Sequence, residues 1–423
     1  MIGSLANDRK FPKIRKDQSI ARERLPRKVL ARFIAKPETL DVAVLLELAR
    51  RWPHSSLKNA VNEIVNTRLT AAEVTPAEFA QGLDALKRLE LPISNPDILK
   101  ARIRLLDDAV EKNINQATEK IALLNVLQAG DAGAEDLTLL KRFLTDKNAN
   151  VRAKAGSLIG FRYAGDESFV TFCRDLALNE STGLDQRLDA LATLTKLEKI
   201  PDKRNWEKLL LSPRKEIVLA SLRALQVNSE YTASQRIVEN VEENLRKQHG
   251  SEIDEDLAFI TAVFAGRKIA DIDKTKLRGK ILEDCPAGSP ELGRLVFRMR
   301  GCYDCHVVGD PKVRAPLLDH VAETHDVQYL LDSILFPNKV VKTGFLIQKI
   351  ILPDGKIITG RLHRDISGDG RFDEVIDDQG QRTLYPGGDI EGTKAVSAMP
   401  AGLEATMSPS ELVDLVAYLK TLK

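Results

Sequence analysis

No stretch of this 423-residue chain approaches the roughly 18 to 20 consecutive apolar residues that a membrane span requires, so no transmembrane segment is predicted. The opening residues, MIGSLANDRKFPKIRK, also lack the apolar core of a secretory signal. A surplus of charge of one sign is missing as well. Lys and Arg number 63 against 61 Asp and Glu, a formal net charge of +2, which gives no general attraction to nucleic acid or to an anionic membrane. Partner choice must therefore be local. Cysteine is scarce: four residues are too few for a disulfide scaffold, and two of them fall three apart in one motif. Of the others, Cys173 sits in the apolar helical stretch FVTFCRDLAL and is expected to be a buried core thiol, whereas Cys285, in EDCPAG, is expected in a linker. No Ser-His-Asp set, phosphate-binding glycine loop or nucleic-acid motif occurs, so hydrolase, kinase and nucleic-acid roles have little support.

The length predicts two or three domains. Residues 1–27 carry Arg9, Lys10, Lys13, Arg15, Lys16, Arg22, Arg24 and Arg27, with Lys28 just beyond, and few large apolar groups. They read as a basic, solvated arm. From 28 to 280 apolar residues recur at helical spacing with almost no strand-like alternation. Ala155, Ala190 and Ala220 mark intervals of 35 and 30 residues, the period of a helix pair in a solenoid. One segment, DKNANVRAKAGSLIGF, looks like the turn and second helix of a HEAT repeat. There Asp146 is placed to cap the helix, Arg152 to bond a neighbouring turn, and Ala155 to let two helices approach closely. Pro286 and Gly288 then break the rhythm, so 281–288 reads as a linker and 289–423 as a second domain.

Cys302-Tyr303-Asp304-Cys305-His306 is the strongest signal in the chain. Two thiols separated by two residues can reach both vinyl groups of one haem, and the adjacent imidazole then faces the iron. A redox dithiol should instead follow a strand, and a zinc site would need a second ligand pair, which Cys173 and Cys285 do not form. One covalent haem c on Cys302 and Cys305, with His306 as proximal iron ligand, is the reading. The sixth ligand should be neutral and soft and precede the last helix. Met399, in Ser397-Ala398-Met399-Pro400, meets that description; Met407 and Met299 read as packing residues, and His320 and His325 as surface histidines. The carbonyl of Pro316 is placed to accept the proximal imidazole N–H, a bond that would fix the ring.

The flanks supply two short helices. Ser289-Pro290 opens one by N-cap and N1 preference; Ser408-Pro409-Ser410-Glu411 is a capping box for the other. Gly293 offers a notch, and Phe297 and Tyr418 aromatic groups, for a close crossing of the two. Between them, residues 344–390 read as a small β-meander, FLIQKII, KIITGRL, FDEVID and QRTLYP, with turns at Asp354-Gly355 and Gln379-Gly380. Asp365 to Gly370 spaces oxygen ligands like a calcium loop, but the closing position is Ile376 rather than Glu, so a polar hairpin tip is expected.

These pieces together, CYDCH, YLLDSILFPNKVV, GFLIQKIILPDGKIITGRL, SAMPAGL and SPSELVDLVAYL, resemble the C-terminal haem-binding domain of the PVC-type (planctomycete and verrucomicrobial) c-type cytochromes, over about a third of the chain. Ala315-Pro316 departs from that family's usual Gly-Pro. The resemblance implies a His306/Met399 haem in a small class I-like cytochrome c domain with a β insertion, following HEAT-like repeats. It also implies a monohaem electron carrier serving a partner or fused dehydrogenase rather than an enzyme in its own right. Two other readings are a haem enzyme or gas sensor with an open sixth iron position, and a repeat scaffold with an incidental haem. Because haem is attached to CxxCH motifs outside the bacterial cytoplasmic membrane, a periplasmic or otherwise exported protein is expected, of which this sequence is a fragment or processed form.

Overall fold

The computed structural model describes residues 55–88, 96–111, 114–129, 134–198, 200–228, 231–265, 273–306, 315–341, 346–352, 354–364, 370–377, 382–390 and 392–423. The basic arm at 1–27, the acidic tip at 365–369 and the turn at 379–380 lie outside them. The fold is mainly helical with one small antiparallel sheet. Among the described residues no helix is long and apolar enough to cross a membrane. The chain divides into two compact units, residues 1–151 and 152–423.

The first unit contains α1 (Ser55–Thr70), α2 (Pro76–Arg88), α3 (Pro96–Glu111), α4 (Ala117–Ala129) and α5 (Ala134–Leu144). Helix α2 starts on a capping box, in which Thr75 Oγ accepts from Glu78 N and Glu78 Oε2 accepts from Thr75 N at 3.0 Å. Each helix packs on the one two places along: α1 on α3, α2 on α4, α3 on α5. Leu69, Phe79, Leu83, Leu106, Leu123, Leu127 and Phe143 fill the interior. Arg102 on α3 reaches Asp136 on α5 at 3.1 Å, both side chains buried. Asp146, expected to cap the next helix, accepts from Asn148 N instead, and Asn148 Oδ1 does the capping by accepting from Asn150 N and Val151 N. The difference is one of reach. An Asx side chain spans two or three residues, and Asp146 is too far from the orphan N–H groups.

The second unit repeats the pattern. Its helices are α6 (Ala149–Arg162, shared with the end of the first unit), α7 (Glu167–Leu178), α8 (Leu184–Leu197), α9 (Lys203–Leu210), α10 (Lys215–Val227), α11 (Tyr231–His249), α12 (Asp254–Phe264) and α13 (Lys274–Asp284). Again α7 packs on α9, α8 on α10, α9 on α11 and α10 on α12. Arg152 on α6 bonds Asp189 on α8 at 2.6 Å, and Arg223 on α10 bonds Asp256 on α12 at 2.9 Å. The Arg152 partner is thus a buried carboxylate two helices on rather than a neighbouring turn.

The compact unit does not break at 281–288. Cys285 and Pro286 form a short 3-10 turn, the Cys285 thiol is buried, and the chain runs directly into α14 (Pro290–Met299). There follow α15 (Cys302–Cys305), α16 (Val321–Thr324), α17 (Val327–Leu335), the sheet and α18 (Pro409–Leu419). The strands are β1 (Leu346–Ile351), β2 (Ile357–His363), β3 (Phe372–Asp377), β4 (Arg382–Pro386) and β5 (Gly392–Ser397), in the order β4-β3-β2-β1-β5. Sequence reasoning expects the first four. It misses β5, whose GTKAVS has weak alternation and which lies at an edge, pairing with β1 from Leu346↔Ser397 to Ile351↔Gly392. Ile350, Leu352, Val375 and Ile390 form the buried cluster of the sheet.

Candidate functional site

The helix carrying the chain into CYDCH is held at both ends. Ser289 Oγ accepts from Leu292 N at 3.2 Å, and Pro290 takes the first helical position. At the far end Gly301 adopts φ +77°, a left-handed turn that side chains resist, and redirects the chain into the single turn of α15. His306 N closes that turn on Cys302 O at 2.8 Å. Spacing i, i+3 puts Cys302 and Cys305 on one side of it. Cys302 is half-buried and Cys305 exposed, both as free thiols.

His306 Nδ1 lies 2.9 Å from the carbonyl oxygen of Pro316. A carbonyl can only accept, so Nδ1 carries the proton and Nε2 keeps its lone pair. Burial pulls the imidazole below its ordinary value, opposed by the Pro316 bond, and so favours the neutral form a metal ligand needs. The Cys302 thiol is pushed by burial up to about 12. The turn α15 follows a helix rather than a strand, so the dithiol alternative, which should follow a strand, fits poorly. Among the described residues no group of three or more His, Cys, Asp or Glu side chains could hold a bare metal ion.

Strand β5 delivers Met399. Ser397 N donates to Asn338 Oδ1 at 2.8 Å, and Met399 N to Ser397 Oγ at 3.1 Å, so the loop is anchored just before the methionine. Met399 is half-buried against a cluster that includes Phe297, Tyr303, Leu331, Leu335, Leu412 and Val416, and Cys302, Leu318 and Leu403 pack against the same cluster. Met407 is a member of its interior, Met299 is buried, and His320 is exposed beside Glu323 at 3.0 Å. His325 is exposed and stacks on Tyr329, ring centroids 3.8 Å apart. The two flanking helices cross closely. Phe297 and Tyr418 meet edge to face at 5.5 Å, and a Cβ on Gly293 would stand 1.9 Å from the Asp414 carbonyl oxygen. The capping box of α18 is present, with Ser408 Oγ accepting from Glu411 N and Glu411 Oε2 from Ser408 N.

Behind this lies a buried ionic layer that sequence reasoning overlooks. Asp189 on α8 accepts from Arg152, from Arg294 at 2.6 Å and from Arg298 at 2.7 Å. Arg223 on α10 bridges Asp256 and, at 2.7 Å, Asp414 on α18. Arg300 clasps Glu411 through Nε and Nη2 and donates to Gln226 Oε1 at 2.6 Å. Lys196 also reaches Asp304, inside CYDCH, at 3.0 Å. The available hint was the run RLVFRMRG, with Arg294 and Arg298 one turn apart among Leu295, Val296, Phe297 and Met299, which requires anions to meet them where that face is buried.

Burial alone would raise Asp189, but Arg294, Arg298 and Arg152 outweigh it and hold the carboxyl below its ordinary range; Arg223 does the same for Asp256. For Glu411 and Asp414 burial prevails over Arg300 and Arg223, and both carboxyls are raised. The stability contributed by Asp189 and Asp256 is fully present above the ordinary aspartate value of about 3.9 and is lost as pH falls through their depressed values. Glu411 and Asp414 act in the opposite sense, their contribution present at low pH and lost as pH rises through their raised values. Asp256→Asn is therefore expected to lower the unfolding temperature at neutral pH and to approach the parent below about pH 4. Thermal unfolding across a pH series checks this: a constant gap at all pH values would be inconsistent with an ionised Asp256.

No family model matches the chain, and no curated protein is similar to it in sequence.

Proposed function

We propose that the chain is a monohaem c-type cytochrome of the PVC type. In it residues 289–423 hold one covalent haem c, and the preceding helices form a HEAT-like solenoid that docks a redox partner, a dehydrogenase being the candidate class. The observation that carries the reading is the meeting of CYDCH with a fixed, neutral His306, its Nδ1 committed to Pro316 at 2.9 Å, in the apolar surroundings that also hold Met399. The donor set fits the group: two thiols one turn apart, an imidazole with a free Nε2, and a soft thioether. A haem c bound there supplies a one-electron iron couple. The protein's part is to orient His306, to exclude water with Phe297, Tyr303 and Leu335, and to keep Met399 on an anchored loop. Two neutral ligands leave no open position, which favours electron passage over substrate chemistry. Export follows from the way such haems are attached, and a periplasmic site is the proposed location.

Support for the solenoid comes from the packing of each helix on the one two places along, and from the buried Arg–Asp bonds that repeat with it. Arg102–Asp136, Arg152–Asp189 and Arg223–Asp256 join residues 34, 37 and 33 apart, the length of one helix pair.

The test is expression behind an export signal with the cytochrome c maturation machinery, followed by pyridine-haemochrome and visible to near-infrared spectra. Covalent haem and a weak Met–iron band, lost in Met399→Ala, are expected. A chain without covalent haem overturns the proposal, and a high-spin ferric spectrum in the parent overturns Met399 ligation in favour of an open iron position.

A further inference from the structure

Gln226 lies on α10, three residues and one turn beyond Arg223, and is buried, 6% exposed. Both ends of its amide are committed to the C-terminal segment. Oε1 accepts from Arg300 Nη2 at 2.6 Å, and Nε2 donates to Thr406 O at 3.1 Å. The two partners fix the amide orientation, since a flipped group would set NH2 against a guanidinium and oxygen against a carbonyl. What these partners are attached to matters more. Arg300 stands two residues before Cys302, separated from it only by the left-handed Gly301. Thr406 ends the short 3-10 turn Leu403–Thr406, which follows the Met399 loop, and Leu403 packs against the same apolar cluster as Met399. A single side chain of the helical array therefore ties the approach to the cysteine motif to the segment that holds the methionine.

We propose that Gln226 is a positioning residue for the sixth iron ligand, coupling the Cys302–Cys305 turn to the Met399 loop, so that the helical array belongs to the haem site as well as to partner docking. This rests on the haem reading above. Glu411 braces the same arrangement, because Arg300 is held on it through two nitrogens and cannot swing toward another acceptor when Gln226 is altered. Losing the Thr406 bond thus frees the methionine side without freeing the cysteine side.

Two substitutions separate the arms. Gln226→Glu, studied at alkaline pH so that the new carboxyl is ionised, keeps an acceptor for Arg300 and loses the donor to Thr406; Gln226→Met keeps the volume and loses both. In the haem-loaded full chain, covalent haem content is expected to stay at the parent level in each, while imidazole displaces Met399 up to about tenfold more readily, the factor carried by one net hydrogen bond. Hydrogen exchange across 399–407 is expected to quicken. Val238→Ala, a buried substitution on α11, serves as a control that lowers stability without touching the bridge, and is expected to leave imidazole affinity unchanged. Parent-like imidazole affinity and exchange in the Glu variant overturn the proposal, as does an equal weakening in the Val238 control. Should Gln226→Met fail to fold, the Glu variant and control decide alone. Absence of covalent haem in the parent chain would sink the haem reading, and the exchange comparison on the haem-free chain would then test the bridge by itself.

Discussion

Replacing Asp189 by alanine is expected to destabilise residues 152–423 by about 3–5 kcal/mol, the range for removing one partner from a buried ion cluster. The reason is arithmetic of charge. One carboxylate, 2% exposed, holds three guanidiniums: Arg152 from α6, Arg294 and Arg298 from α14. Asp185 approaches Arg294 and Arg152 at 3.7 and 3.8 Å but is half-exposed, so it offsets little of the loss. Three guanidiniums, those of Arg152 and Arg298 buried and that of Arg294 partly so, would be left with one screened neighbour. Neighbouring geometry blocks an escape, because Arg298 Nη2 also donates to Thr193 Oγ1 at 3.0 Å and a Cβ on Gly156 would stand 2.2 Å from that same nitrogen. Urea unfolding is the measurement, with a lowered midpoint and an unchanged slope expected. Lys196→Ala provides the contrast: the Lys196–Asp304 pair is largely solvated, and its loss should change stability by at most about 1 kcal/mol. An Asp189 variant no more affected than Lys196→Ala would show that the cluster is hydrated and the ionic layer unimportant. The same logic applies to expressing 289–423 alone, which would strand Arg294, Arg298 and Asp414 without Asp189 and Arg223.

Gly293→Ala is the second large effect. Alanine is the better helix former by about 1 kcal/mol, so on an isolated helix the change would stabilise. Here the added methyl meets the backbone of α18, 1.9 Å from the Asp414 carbonyl oxygen and 2.5 Å from its carbon, and backbone cannot rotate aside. The helices must separate. Separation loosens the Phe297–Tyr418 contact, the Ser289 N to Asp414 Oδ1 bond at 2.7 Å and the Arg223–Asp414 pair together. Overpacking of a rigid contact costs about 1–3 kcal/mol or more, which outweighs the propensity gain. With a cost toward the upper end of that range, because the contact is backbone, the expected result is a net loss of about 1–2 kcal/mol, read from urea midpoints. A more stable alanine variant would mean that the crossing is looser than the structure has it.

The close crossing was legible in advance because it depends on local and self-announcing features: a glycine and an aromatic one helical turn apart, facing a capping box whose Ser408 and Glu411 are three apart. The cysteine spacing of CYDCH and the Ser289-Pro290 start are of the same kind, complete within a few residues. Met399 was legible as a candidate from its residue type and its neighbours Ser397 and Pro400. Its surroundings were not, because the strand that delivers it, β5, finds its partner β1 more than forty residues earlier. Cys285 shows the limit from the other side. Its Pro/Gly context says where the helix must end, and says nothing of whether the turn is solvated; α18 packs over it and buries the thiol.

By itself, then, the sequence determined the helical period, the caps at Ser289 and Ser408 and the identity of the candidate ligands, all properties set by neighbours along the chain. Only the tertiary structure decided which buried charges meet, that Asp189 serves three arginines, that Gln226 spans two segments about 180 and 74 residues away, and that residues 152–423 close as one unit without a break at 281–288. The physical reason is the range of the interactions. Periodicity and capping act over one helical turn, whereas the choice of partner for a buried guanidinium is made by helices that approach only after folding, when desolvation leaves each charge no alternative to the neighbour it finds.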